Sequence, residues 1–137
     1  MVTYRERGGR HNETGALGET VARKWLNDKG FSIVADNYRQ KTGEIDVIAK
    51  QSTVIHFVEV KTVSYDSKLA LNRAVSAHDW RPEEQVHEQK IHKISRTIEI
   101  WLLDNKWEGE WQIDIAAVRL VPSEKYARIN WLWNVIA

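Results

Sequence analysis

Gly43-Glu-Ile-Asp-Val-Ile-Ala49 and Val54-Ile-His-Phe-Val-Glu-Val-Lys61, with a polar break at Lys50-Gln-Ser-Thr53 between them, are two apolar runs around which the rest of the chain is arranged. Two runs rich in β-branched and aromatic residues, joined by a short polar break, are the pattern of a β-hairpin. Into these runs the sequence places Asp46, Glu59 and Lys61, where a purely structural strand would carry Val or Thr. If Ser52-Thr53 is the tip of a two-residue turn, residue 51 pairs with 54, and continuing the ladder sets Asp46 directly opposite Glu59. Side chains two apart in a strand share a face, so Glu44, Asp46, Glu59 and Lys61 then point the same way. Opposed carboxylates repel, at a cost of about 0.2–1 kcal/mol and more when buried. Such a pair needs positive charge between its members, and a hard divalent cation together with the lysine supplies it.

On the N-terminal side of this hairpin, residues 1–13 carry Arg5, Arg7 and Arg10 and read as a flexible arm. From Thr14 a helix is signalled: Leu17, Val21 and Trp25 recur at helical spacing, Ala22 and Leu26 widen the stripe, and Gly30 supplies the stop. Glu19 lies one step outside that stripe, where periodicity alone makes it a solvated surface residue. Phe31 to Asn37 alternates as a first strand, and the hairpin gives the second and third. Val58 and Val60 face away from Glu59 and Lys61, which makes the third strand central with one face against a helix.

On the C-terminal side, residues 62–81 show no clear period, with a short helix around Leu69–Val75. Pro82 opens another helix, followed by Glu83 and Glu84 at the positive end of its dipole. Ile91, Ile94, Ile98, Trp101 and Leu102 form its apolar stripe, and Asp104-Asn105 ends it. Lys90, Lys93 and Arg96 give it a basic flank, which suits either solvent or phosphate. Trp111, Ile113 and Ile115 alternate with Gln112 and Asp114, a strand with one polar face. Ile129, Trp131, Trp133 and Val135 alternate as a last strand. The order αβββαββ is a mixed α/β fold around a sheet, with residues 14–137 in one domain.

Composition narrows the partners. Twenty Lys and Arg against 19 Asp and Glu leave a formal charge of +1, so any nucleic-acid surface must be a local patch. There is no cysteine, which excludes disulfides, zinc ribbons and thiol chemistry. The polar, basic start is unlike a secretory leader, and no apolar run reaches membrane-spanning length, so a cytoplasmic protein is expected. The five histidines show no ligand spacing. Seven tryptophans are many for 137 residues, and they read as core or as dimer surface.

The hairpin cluster suits Mg²⁺-assisted phosphodiester cleavage. Mg²⁺ is usually held by one or two carboxylates and keeps waters and substrate phosphate in its other positions. Bound there it acidifies a water and offsets charge building on phosphate oxygens. Lys61, beside it, can orient or deprotonate that water. On chemistry alone the same residues also make a salt-bridged structural hairpin.

A series of motifs runs in order through the first half: Gly15-x-x-Gly18-Glu19-x-x-Ala22, Lys29-Gly30-Phe31, Asn37-Tyr38-Arg39, Gly43-Glu44-Ile45-Asp46-x-Ile48-Ala49 and Phe57-Val58-Glu59-Val60-Lys61. The series closely resembles the YraN family of predicted endonucleases, which is similar to archaeal Holliday-junction resolvases and the restriction-endonuclease-like superfamily. The match is dense over residues 15–61 and thin beyond. It implies a central mixed sheet flanked by helices, with Asp46, Glu59 and Lys61 as the superfamily's D, E and K. It implies Asp46, Glu59, the Val60 carbonyl and Glu19 around Mg²⁺ (or Mn²⁺), with Glu19 acting directly or through water. Lys90 resembles the basic residue that the family carries after its loop, and Ile113-Asp114-Ile115 resembles its later strand. The usual proline before the aspartate is Ile45 here, and Ala77–Glu84 departs from the pattern. The expected function is a Mg²⁺-dependent endonuclease for branched or structured DNA, contacting it through Lys90, Lys93, Arg96 and Arg39. A homodimer pairing through residues 131–136 is also expected. The alternatives are a module that keeps the fold and binds nucleic acid or protein without turnover, and a structural partner protein that binds no metal.

Overall fold

Helix α1 (Arg10–Asp28) leads into a three-stranded meander, β1 (Ser32–Gln40), β2 (Gly43–Gln51) and β3 (Val54–Ser64). Helices α2 (Lys68–Ala77) and α3 (Glu88–Asp104) then carry the chain to β4 (Glu110–Val121) and β5 (Tyr126–Leu132). The computed structural model describes residues 10–80 and 88–135, apart from the side chains of 10–12 and 88–90. The strands lie in one sheet in chain order, antiparallel throughout except for β3 and β4, which run parallel. A parallel neighbour cannot be reached through a tight turn, so α2 and α3 make the crossing. The expected mixed α/β sheet flanked by helices is therefore present, with β3 at its centre.

Each face of the sheet has its own helix. On one, Ala22 and Leu26 of α1 pack on Val47, Ala49, Val58 and Ala116, while Leu17 and Val21 pack on Val118 and Leu120. On the other, Ile98 and Trp101 of α3 cover Ile45, Ile48, Ile55, Phe57 and Ile113. Burying each such side chain is worth about 1.5–3 kcal/mol, which fixes both helices against the strands. Helix α1 begins at Arg10, a turn before the expected start at Thr14. It stops at Gly30, whose φ of +87° a Cβ would strain. The expected short helix near Leu69–Val75 is α2, longer at both ends because the Ser67 side chain caps it and His78 closes it in a left-handed conformation. Its period is hard to read because Leu71 is its one buried residue. The helix start expected at Pro82 lies outside the described residues, as do Arg5, Arg7 and Ile136.

Gly18 sits where α1 crosses β3, and a Cβ there would overlap the Thr62 side chain. Gly18→Ala therefore pushes helix and strand apart despite alanine's better helix propensity. Denaturant unfolding should show a loss of about 1–3 kcal/mol. A gain would mean that α1 has slack over β3.

The strand expected to show one polar face does not expose it. Asp114 in β4 is wholly buried. It accepts from Gln112 Nε2 at 2.7 Å, the Asn134 N–H at 2.8 Å and Trp131 Nε1 at 3.1 Å, and it contacts His56 Nδ1 at 2.6 Å. Burial alone would raise its pKa, but the bonds from His56, Asn134 and Gln112 outweigh it and hold the carboxyl below its usual range. A charged group can stay inside because every lone-pair direction is used. Trp131, expected at a pairing surface, stacks on Trp25 with centroids 4.4 Å apart, and Val135 packs into the α3 cluster. Trp133 is exposed.

Candidate active site

The hairpin turns as its residues dictate. Gln51 pairs with Val54 across Ser52-Thr53, and the register runs back in step to Val47 opposite Val58. Ser52 takes the positive φ that the turn requires. The next pair would be Asp46 with Glu59, and there the ladder opens. The Val60 N–H donates to Asp46 Oδ2 at 2.8 Å, so a side chain takes the place of a backbone acceptor. The pleat of β2 slips at the same point. Ile45 and Ile48, three apart, lie under α3, while Val47 and Ala49 lie under α1. Asp46 thus stands in an open seam between two strands, within reach of both faces.

The second strand of the seam brings Glu59 and Lys61. Their side chains meet at 3.2 Å and are 14% and 18% exposed, so this is a largely desolvated pair. Glu59 borders Ile94 of α3 in a small recess. Lys61 lies in a broad groove of about 850 Å³ between the first turns of α1 and the end of β3, lined by Glu13, Thr14, Thr62, Ser64 and Asp66.

Helix α1 brings Glu19. The close crossing at Gly18 sets the next residue beside the sheet, where Glu19 and Asp46 come within hydrogen-bonding reach when one of them is protonated. A recess of about 160 Å³ opens beside it, lined by Glu13, Thr20, Arg23 and Asn37. The alternative reading of Glu19 as a solvated surface glutamate does not hold, because it packs against the seam. Its pKa is raised, first by burial and then by Glu44 and Asp36, against the pull of Asp46 and Arg23. Asp46 is pushed up to about 7 by burial, with Glu59 and Glu19 adding to the rise and the Val60 N–H opposing it. A carboxyl that gives up its proton only near neutrality, between two others, has the electrostatics that a bound cation would relieve.

Asn37 and Glu44, to which the sequence reading assigns no role in the site, complete this arrangement. Asn37 of β1, level with Asp46 in the register, has its amide oriented so that Nδ2 faces Glu44 Oε1 at 3.1 Å and Glu19 Oε1 at 3.2 Å. Glu44 in turn meets Arg39 Nε at 3.4 Å. An Asp-Asn pair inside an alternating run is the available signal, since asparagine tolerates the left-handed backbone better than most residues.

The nucleic-acid candidates are less gathered. Arg39 is exposed at the edge of the carboxylate group. Lys93 and Arg96 are on α3, on the side away from its buried stripe. That helix is tied to the β1–β2 turn by a 2.7 Å bond between Thr97 and Thr42. Lys90 is in the first turn of α3, and its side chain lies outside the described residues.

The oxygen-rich set fits a hard cation in kind. Among the described residues no three His, Asp or Glu side chains already converge to hold one. Mg²⁺ accommodates this, because it takes one or two carboxylates and keeps its waters.

The uncharacterised protein family UPF0102 matches residues 18–118. The chain is similar to a UPF0102 protein of Campylobacter jejuni, 35% identical over 105 residues that cover 77% of this chain and 82% of that one. It is similar to one of Campylobacter fetus, 38% identical over 104 residues covering 76% and 81%. A UPF0102 protein of Alkaliphilus oremlandii is 36% identical over 127 residues covering 90% and 97%. The matched span takes in Glu19, Asn37, Asp46, Glu59 and Lys61.

Proposed function

Because this chain belongs to the UPF0102 (YraN) family, and its sheet opens at a partly buried aspartate flanked by two glutamates and a lysine, we propose that it is a Mg²⁺-dependent endodeoxyribonuclease. Its substrate in this reading is branched or otherwise structured DNA. The supporting observation is the seam itself: a strand pair that needed only stability would continue its ladder through residues 46 and 59 rather than seat a carboxylate there. Asp46, Glu59 and the Val60 carbonyl would hold the ion, with Glu19 on Asp46 or on a bound water. The ion would supply an acidified water and offset charge on the scissile phosphate. Asp46 is held in place by the Val60 N–H, which uses one of its two oxygens. Glu59 keeps the Lys61 ammonium at the seam's edge, where it can steer the attacking water and the phosphate oxygens. The groove beside Lys61 is open enough for a backbone strand to approach.

The direct test is incubation of purified protein with branched, nicked and single-stranded DNAs in Mg²⁺ or Mn²⁺. Cleavage of at least one, abolished by EDTA, is expected. Binding without cleavage in either metal would instead make the protein a nucleic-acid-binding module that retains the fold.

With a formal charge of only +1, DNA binding must come from local cations. Reversing Lys93 and Arg96 to glutamate should weaken binding and flatten its salt dependence, by about 0.9 in log–log slope for each phosphate that is no longer neutralised. Unchanged affinity across a salt series would place the DNA surface away from α3.

A further inference from the structure

Asn37 adopts φ +48° in the interior of β1, opposite the open seam. A non-glycine residue in this region is strained, and a strand keeps such a residue where the surroundings make use of it. Its amide is the group that gains from the conformation. One N–H reaches Glu44 and the other Glu19, two carboxylates that come from different elements and repel one another. An amide nitrogen has two donors and no charge. It can therefore draw two carboxylates together without cancelling the negative potential between them, which a lysine or arginine at the same place would do. The cations near this group are set outside it: Arg39 on the far side of Glu44, and Arg23 between Glu19 and Asp36.

We propose that Asn37 is the positioning residue of this site, its amide fixing Glu19 and Glu44 so that the helix-borne glutamate is presented to Asp46 and to a cation in the seam. The inference rests on the metal-site reading above. It goes beyond that reading by assigning the arrangement of the carboxylates to a residue that touches neither cation nor substrate. If Asn37 served only to let the backbone enter the left-handed region, glycine would serve at least as well.

Asn37→Gly separates the two roles, because it keeps the backbone conformation and removes the amide. Mn²⁺ alone is titrated calorimetrically into wild type, Asn37→Gly and Asp46→Asn, and each is melted in EDTA. Wild type is expected to bind, Asp46→Asn to fail, and Asn37→Gly to bind about 10–100-fold more weakly while melting within a few degrees of wild type. Asn37→Gly binding Mn²⁺ as wild type does would overturn the positioning role and leave the metal site standing. A melt far below wild type in EDTA would also overturn it, making the amide a structural bolt. Wild type that binds no Mn²⁺ would overturn the metal site and this assignment together, and the wild-type arm tells that case from the other two.

Discussion

Asp46→Asn should melt above wild type in EDTA at pH 8, and millimolar Mg²⁺ should raise only the wild-type melting point. The folded protein holds the Asp46 carboxyl at a pKa of about 7, well above its ordinary 3.8, chiefly through burial and then through Glu59 and Glu19. The fold therefore keeps a proton that the unfolded chain gives up. The Asp46 contribution to wild-type stability in EDTA should be fully present below about pH 4, be lost as pH rises towards 7, and stay absent above, while Asp114, held below its usual range, works in the opposite direction in acid. A rise of this size corresponds to a few kcal/mol, at about 1.36 kcal/mol per pH unit. Asparagine escapes the penalty. Its carbonyl can accept from the Val60 N–H and its amide can donate to Glu19, with no charge to desolvate. The variant should thus be more stable by about 1–4 kcal/mol at pH 8, and the difference should vanish near pH 4. A ligand at a hundredfold excess over its Kd adds about 2.7 kcal/mol to the state that binds it, and the variant should lose most of this. Melts of both proteins from pH 4 to 8, with EDTA and with Mg²⁺, measure all three effects. A variant much less stable than wild type at pH 8 in EDTA would make Asp46 a structural acceptor, and the metal site would need other ligands.

Lys61→Ala should lower the rate of DNA cleavage by about 10²–10⁴-fold, the range of acid–base and water-orienting groups. Metal affinity should change far less, because the ammonium is no ligand. The pairing with Glu59 at 3.2 Å makes the measurement demanding. Removing the lysine leaves a largely buried glutamate without that partner, which is unfavourable without metal and relieved when a cation binds. Single-turnover rates at saturating Mg²⁺ therefore separate lost chemistry from lost stability. A Lys61→Ala protein that cleaves at the wild-type rate would remove the lysine from the reaction.

The hairpin is legible because its information is local: the turn fixes the register, and alternation fixes the faces. The same logic, carried one pair further, sets Asp46 opposite Glu59. The structure departs there because Asp46 itself takes the Val60 N–H, an exchange that periodicity cannot register. Glu19 enters the site through family resemblance alone, since its place beside Asp46 depends on how closely α1 crosses β3 at Gly18. Asp114 reads wrongly as part of a polar face for the opposite reason. Its partners His56, Trp131 and Asn134 are spread over distant parts of the chain, and a carboxylate satisfied by distant donors looks locally like one satisfied by water. Asn37 carries its signal in its residue type, but nothing nearby says that a strand should leave the right-handed backbone there.

The parallel pairing of β3 with β4 also sets the order in which the molecule can assemble. The meander from β1 to β3 closes through short turns, whereas β4 must return across α2 and α3, as the 58-residue separation of His56 and Asp114 shows. Closing long loops costs entropy before any interaction repays it, so the β1–β3 meander can form well ahead of the β4 pairing. During synthesis β3 then waits as an edge, with Ile55 and Phe57 uncovered until α3 has emerged and its backbone unpaired until residues 110–120 have emerged. An edge of that kind pairs readily with copies of itself. Glu59 and Lys61, charges placed midway along it, disfavour such pairing while the chain is still being made.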